Sequence, residues 1–228
     1  MASLCFDYGH GGSDGGACYK GRKESNDVLA LGKEVASEMR RHNITVDETR
    51  TNDSTVSLGA RSSFENRKAY NYFISFHRNA FQPEKAQGVE VYTYLNGSAK
   101  AKSLANKVQA NLVALGFVNR KVKEANFHVL RETKCTSILI ETGFEDNTND
   151  NNLFDSKRNE IIKAITKAIL SQLGITYKEV GKVATLTPVK VKSNLFKVQV
   201  GAFGVKSNAD DLKKELEKLG YKPFIKEE

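Results

Sequence analysis

The stretch Phe6-Asp7-Tyr8-Gly9-His10-Gly11-Gly12, followed by Glu24 at the head of the next helical pattern, decides how this chain folds. Ala2 to Phe6 is a short apolar run that reads as a strand, and it stops in a glycine-rich turn carrying a histidine. A histidine and a carboxylate therefore flank one strand-to-helix loop. In an open α/β sheet, loops at the carboxyl ends of strands are where ligands and chemistry collect. Two later strands deliver functional side chains in the same way. Tyr72 to Phe76 leads to His77, and Thr136 to Ile140 leads to Glu141.

Working outward, apolar residues at helical spacing from Val28 to Met39 predict a helix, and Ile44 to Glu48 a short strand. A helix is expected over Ser57 to Tyr70, and a strand over Gly88 to Leu95, where apolar and polar residues alternate. Ser98 to Leu115 reads as a long amphipathic helix stopped by Gly116. Phe127 to Leu130 is expected as a short strand, Asn147 to Asn152 as an Asn/Asp-rich turn, and Lys157 to Leu173 as the last helix of this region. Thr136 to Ile140 is continuously apolar, as in a strand covered on both sides. This order gives an α/β fold: a mixed, mostly parallel twisted sheet with helices on both faces.

Residues 1–174 form the first domain on this reading. Residues 175–194 lack periodicity and suit an extended linker. Residues 195–228 form a small C-terminal βαβ segment, with strands at Phe196 to Phe203 and Tyr221 to Ile225 around a helix from Ala209 to Leu219. A piece of that size needs a partner surface or staple to fold well.

The 228 residues are 39% hydrophobic and 27% charged, which fits a soluble globular chain. No run approaches the roughly 20 apolar residues that cross a bilayer, so membrane insertion is not expected. No leader is visible before the first strand, so the protein is expected to be made in the cytoplasm and to act elsewhere after release. The three cysteines have no paired spacing, which argues against a disulfide framework and a C-x-x-C site. Cys5 and Cys135 read as buried thiols, and Cys18 as an unfavoured extra ligand candidate. The net charge of +8 is scattered, with +4 of it from Ile175 onward. It suits an anionic polymer, but no aromatic–basic interleaving marks a nucleic-acid face, so no nucleic-acid partner is expected.

Zinc hydrolases commonly hold the metal through three His or carboxylate ligands and keep a fourth position for water. His10, Glu24 and His77 are the candidates here, and this donor set suits Zn²⁺. There is no H-E-x-x-H, so a helix-borne zincin site is excluded. Glu141, at the mouth of an apolar strand, is placed to take a proton from water and return it to a leaving amine. Its apolar setting should raise its pKa. Asn79 and Arg131 are candidate substrate contacts. His42 reads as a surface cap on a helix end, and His128 as a strand residue outside the metal set.

Taken in order, Gly9-His10-Gly11-Gly12, Gly21 to Glu24, Thr49-Arg50-Thr51 with Asp53, Ser75 to Ala80, Gly88-Val89-Glu90, Val129-Leu130-Arg131 and Glu141-Thr142-Gly143-Phe144 make a specific set. Over Leu4 to about Leu173 the chain resembles the zinc-dependent N-acetylmuramoyl-L-alanine amidases of the amidase-3 type. The resemblance implies zinc on His10, Glu24 and His77, Glu141 as the catalytic carboxylate, and peptidoglycan as substrate. Tyr8, Phe76 and Arg78 depart from the family pattern, and Arg78 is expected to affect how substrate is held. Phe196 to Ile225 resembles the front half of a SPOR-type glycan-binding repeat. A phage lysin and a sporulation or autolytic enzyme both fit. The rival readings are an inactive peptidoglycan-binding protein and a zinc peptidase cutting within the stem peptide.

Overall fold

The structure is a computed structural model that describes residues 2–179, 200–218, 220–221 and 223–226. The chain divides into two compact units, 1–179 and 180–228.

The first unit is built on a six-stranded sheet. Its strands are β1 (Ser3–Tyr8), β4 (Thr45–Glu48), β5 (Tyr72–Asn79), β6 (Val89–Thr93), β7 (Asn119–Glu124) and β8 (Thr136–Phe144), in the order β4-β1-β5-β8-β6-β7. β4, β1, β5 and β8 are mutually parallel, while β6 pairs antiparallel with β8 and parallel with β7. Two-residue strands β2 (Cys18–Tyr19) and β3 (Arg22–Lys23) form a separate ribbon in the loop before the first helix.

One face of the sheet is covered by α1 (Glu24–Arg41), α3 (Ala99–Val113) and α6 (Arg158–Gln172). Each turns an apolar stripe inward: Val28, Leu31, Val35 and Met39 on α1; Leu104, Ala105, Val108 and Leu112 on α3; Ile161, Ile165 and Ile169 on α6. These pack on Leu4, Phe6, Ile74, Ile138 and Ile140 of the strands. The other face carries a smaller core of Cys5, Phe73 and Leu139, covered by α2 (Leu58–Glu65) and α4 (His128–Arg131) through Phe64, Val129 and Leu130. The expected mixed sheet with helices on both faces is the observed one.

Several elements differ from expectation. Phe127 to Leu130 is not a strand. Arg131 N–H donates to the Phe127 carbonyl at 3.0 Å and Glu132 N–H to that of His128 at 2.8 Å, closing a single helical turn. Such a short apolar run carries no period long enough to separate helix from strand. The expected turn at Asn147 to Asn152 lies mostly in a helix, α5 (Thr148–Ser156), because the Asn147 side chain caps the N–H groups of Asn149 and Asp150. β7 is a charged edge strand with little apolar alternation to betray it. β5 and β8 run on past His77 and Glu141, to Asn79 and Phe144, with a register shift between His77 and Asn79.

Residues 175–179, read as the start of a linker, belong to the first unit. Ile175 and Tyr177 pack against the main core, and Lys178 N–H donates to His42 Nε2 at 2.9 Å. His42 does cap α1, but it is buried beneath Tyr177 rather than on the surface. In the second unit the described residues form α7 (Lys206–Lys218). Val200 to Phe203 and the described residues of 221–225 carry no strand, and the expected linker from 180 and strand residues up to 199 lie outside the described residues.

Candidate metal centre and active-site cleft

The smaller-core face of the sheet turns polar toward the carboxyl ends of the parallel strands. Asp7 and Ser75 lie on it, then His77 and Glu141, which are direct register partners on the adjacent parallel strands β5 and β8. Glu90 on β6 is in turn the register partner of Glu141. Side chains directly opposite each other share a face. The chain thus sets His77, Glu141 and Glu90 side by side across three strands.

His10 comes from the turn after β1. Its backbone is left-handed, with φ of 59°, an unusual state for a residue with a Cβ. Two buried arginines hold the turn. Arg50 donates from Nε to the Tyr8 carbonyl at 2.9 Å and from Nη2 to that of Gly9 at 2.9 Å. Arg61 donates to the carbonyls of Tyr8 at 2.6 Å and His10 at 2.7 Å, and pairs with Asp7 at 2.8 Å. Gly9 is a close-approach position: a Cβ there would lie 2.2 Å from His77 Cε1.

Glu24, the first residue of α1, lies between the two imidazoles. Its Oε2 is 3.2 Å from His10 Nε2 and its Oε1 is 3.0 Å from His77 Nδ1. The backbone N–H groups of Ala17 and Arg78 each donate to it, at 2.9 and 3.0 Å. The rings of His10 and His77 are 5.2 Å apart between centroids. One ligand atom from each of His10, Glu24 and His77 falls within 4.8 Å of the others, so the three could hold a metal ion. His10 Nδ1 meets Asp14 Oδ2 at 2.8 Å, the outer carboxylate contact that fixes a ligating imidazole.

The electrostatics favour positive charge at this point. The bond to Glu24 is the main cause that raises His10 to about 9, against burial. Burial works to raise Glu24, but its contacts with His10 and His77 outweigh it and hold the carboxyl below the usual range. The same partner raises His77 despite burial. A buried carboxylate between two imidazoles, with oxygen and nitrogen donors converging, fits a divalent cation of borderline softness.

Glu141 lines the same cleft, which holds about 440 Å³ and is walled by His10, His77, Thr55, Leu58, Phe127 and His128 among others. Its Oε2 is buried and has no hydrogen-bond partner among the described residues. Burial raises its carboxyl to about 7, against the pull of the His77 charge.

Other expected site residues land elsewhere. Asn79 donates to Glu90 Oε1 at 2.5 Å, and Arg131 is exposed and engaged with Glu132 at 2.7 Å and Asn126 Oδ1 at 2.8 Å. Neither lines the cleft. Arg78 does not line the cleft either: it is fully buried under Phe154 and paired with Asp27 and Glu145. Cys18 is exposed and outside the ligand group. His128 does line the cleft, 3.2 Å from Ser62 Oγ, on the helical turn that replaced its expected strand. Sequence reasoning missed Asp14 and Arg61. A carboxylate four residues after His10 was the available sign for the first; nothing local marked the second.

Residues 4–171 match the N-acetylmuramoyl-L-alanine amidase family, which is nearly the whole first unit. The chain belongs to that family. Residues 192–228 match the SPOR domain. Among curated relatives, the N-acetylmuramoyl-L-alanine amidase CwlM of Bacillus licheniformis is 34% identical over 99% of this chain and 85% of its own length. The sporulation-specific N-acetylmuramoyl-L-alanine amidase of Bacillus subtilis is 31% identical over 99% of this chain and 84% of its length. Among solved structures, an N-acetylmuramoyl-L-alanine amidase from Clostridium difficile 630 superposes with a TM-score of 0.73 at 29% identity, covering 76% of this chain and 97% of that one. The amidase family is thus met in sequence and fold over the unit that carries the His10–Glu24–His77 cluster.

Proposed function

We propose that this N-acetylmuramoyl-L-alanine amidase works as a zinc enzyme, with His10, Glu24 and His77 as ligands and Glu141 as the group that moves the proton. Its substrate is peptidoglycan, cut at the amide between the lactyl group of N-acetylmuramic acid and L-alanine. The observation that carries the assignment is the buried, unpartnered Glu141 Oε2 beside a three-ligand cluster. Zn²⁺ bound there would polarise the scissile carbonyl and acidify a water molecule.

The chain's own residues supply the rest. Asp14 holds His10 with Nδ1 turned away and Nε2 toward Glu24. Glu141, ionised, accepts a proton from the attacking water. It then returns that proton to the alanine nitrogen as the C–N bond breaks, leaving a free amine and a lactyl carboxylic acid that loses its remaining proton to solvent. A carboxyl tuned near neutrality suits both halves of that transfer. Arg50 and Arg61 contribute by fixing the turn that carries His10.

Residues 195–228 are assigned as a wall-binding segment, on the SPOR match, and action at the cell wall after release follows from the substrate. The long alignment with a sporulation-specific amidase supports a sporulation or autolytic role over a phage one.

Glu141→Gln should keep the fold and bound zinc, measured by elemental analysis, and lose ~10²–10⁴-fold in stem-peptide release from purified walls. Retained turnover would remove Glu141 from the mechanism. His10→Ala should lose zinc, and unchanged metal content would refute the ligand set. Mass spectrometry of the products should find free L-alanine amino termini and intact glycan. Cuts within the stem peptide would instead establish a peptidase.

A further inference from the structure

β7 pairs with β6 through an irregular register. Val89 faces Asn119, yet Val91 faces Val122, so β7 spends one extra residue over that span. The extra residue is accommodated at Lys121, whose φ is 73°, and Asn119 Oδ1 closes the bulge by accepting the Lys121 N–H at 2.9 Å. A left-handed lysine is a strained choice, and bulges next to active sites commonly re-aim side chains.

The consequence falls on Arg120 and Lys123. Three positions apart on a regular strand, they would face opposite sides of the sheet. With the bulge between them, both reach one carboxylate oxygen, Glu90 Oε2: Arg120 Nε at 2.9 Å and Lys123 Nζ in closer contact still. The other oxygen of Glu90 is taken by Asn79 Nδ2 at 2.5 Å and by the Tyr92 hydroxyl at 2.8 Å. Glu90 is buried, at 2% exposed, whereas Arg120 and Lys123 keep 33% and 39% of their side-chain surface. One acid thus anchors two cations, and the cluster retains a net positive charge on its open side.

Its position gives that charge a use. Glu90 is the register partner of Glu141, one inter-strand spacing (~5 Å) away. The Tyr92 ring bridges the two places, packing at 5.1 Å against Phe127, which walls the cleft. An extended peptide covers such a length in one to two residues. In the proposed substrate the amidated muramic acid side is uncharged, while the peptide side carries carboxylates.

We infer that Arg120 and Lys123, presented by the β7 bulge on Glu90, form a subsite for a stem-peptide carboxylate just beyond the scissile amide. This rests on the amidase reading of the cleft. The ligand chemistry is a carboxylate on the residue that follows alanine, and the cations act on substrate affinity, not on proton transfer.

The test uses the full-length protein and soluble glycan fragments bearing L-Ala-D-Glu, with the α-carboxylate of the second residue either free or amidated. Wild-type turnover of both fragments comes first, since its failure would count against the amidase reading itself. Arg120→Gln and Lys123→Gln should each raise KM on the free acid about tenfold with kcat little changed. Each should also lower the acid-to-amide ratio of kcat/KM by a similar factor. Lys102→Gln, which alters a cation paired with Glu124 instead, serves as control and should leave the ratio unmoved. Thermal melting identifies a variant that has lost its fold, and Lys123→Gln, the more exposed of the two, then decides the question. Equal losses on both fragments would overturn the subsite. So would a defect confined to walls carrying phosphate polymers, which would assign the cations to those polymers.

Discussion

The carboxyl of Glu141 is raised to about 7 because burial removes its water, with the His77 charge opposing and Glu24 and Glu90 adding to the rise. The group serves as a base only when ionised, so kcat/KM should fall as pH drops through its pKa. A pH–rate profile should show this acid limb with its midpoint near 7. Asp14 makes a second test at this scale. It touches no expected metal position, yet it orients His10, so Asp14→Ala should weaken metal binding 10–100-fold in a chelator competition. His10, Glu24, His77 and Glu141 were legible in the sequence because each follows an apolar run or opens a helical pattern. The partners of Asn79 and Arg131, Glu90 and Glu132, were not legible for a physical reason: proximity in sequence to a site strand does not say which carboxylate a polar side chain finds first.

Between elements, the pair Asp7–Arg61 ties β1 to α2 beneath the cleft. Asp7 is fully buried; burial alone would raise its carboxyl, but Arg61, Thr49 and Ser75 hold it below 3.8. Its folded value lies under its unfolded one, so the stabilisation is present above about pH 4 and is lost as pH falls further. Asp7→Asn should cost about 3–5 kcal/mol in urea unfolding near neutrality, because it leaves a buried guanidinium unpaired. The elements the sequence showed clearly are those with a long period, such as α1, α3 and α6. α4 was hidden because one turn of helix and a four-residue strand look alike, and β7 because a charged edge strand has no apolar face to display. α5 was hidden by its own cap, since an Asn/Asp-rich run reads equally as a turn.

For the whole molecule, the division at residue 179 makes a direct prediction. Residues 1–179 alone should melt at the temperature of the full chain's first unit and turn over soluble fragments normally. They should sediment less with purified walls, as a pelleting assay would show. Ile175, Tyr177 and Lys178 must be kept, since they pack on α1 and the core. The pairing of His77 with Glu141 on neighbouring strands carries a larger consequence. The separation between one cation-gripping imidazole and the carboxylate that ferries a proton is ruled by the lattice of main-chain hydrogen bonds. For His77 and Glu141 no surface loop sets that spacing, so changes in the walls around Leu58, Phe127 or the β7 bulge can retarget the enzyme to other bacterial walls while these two groups keep the same gauge.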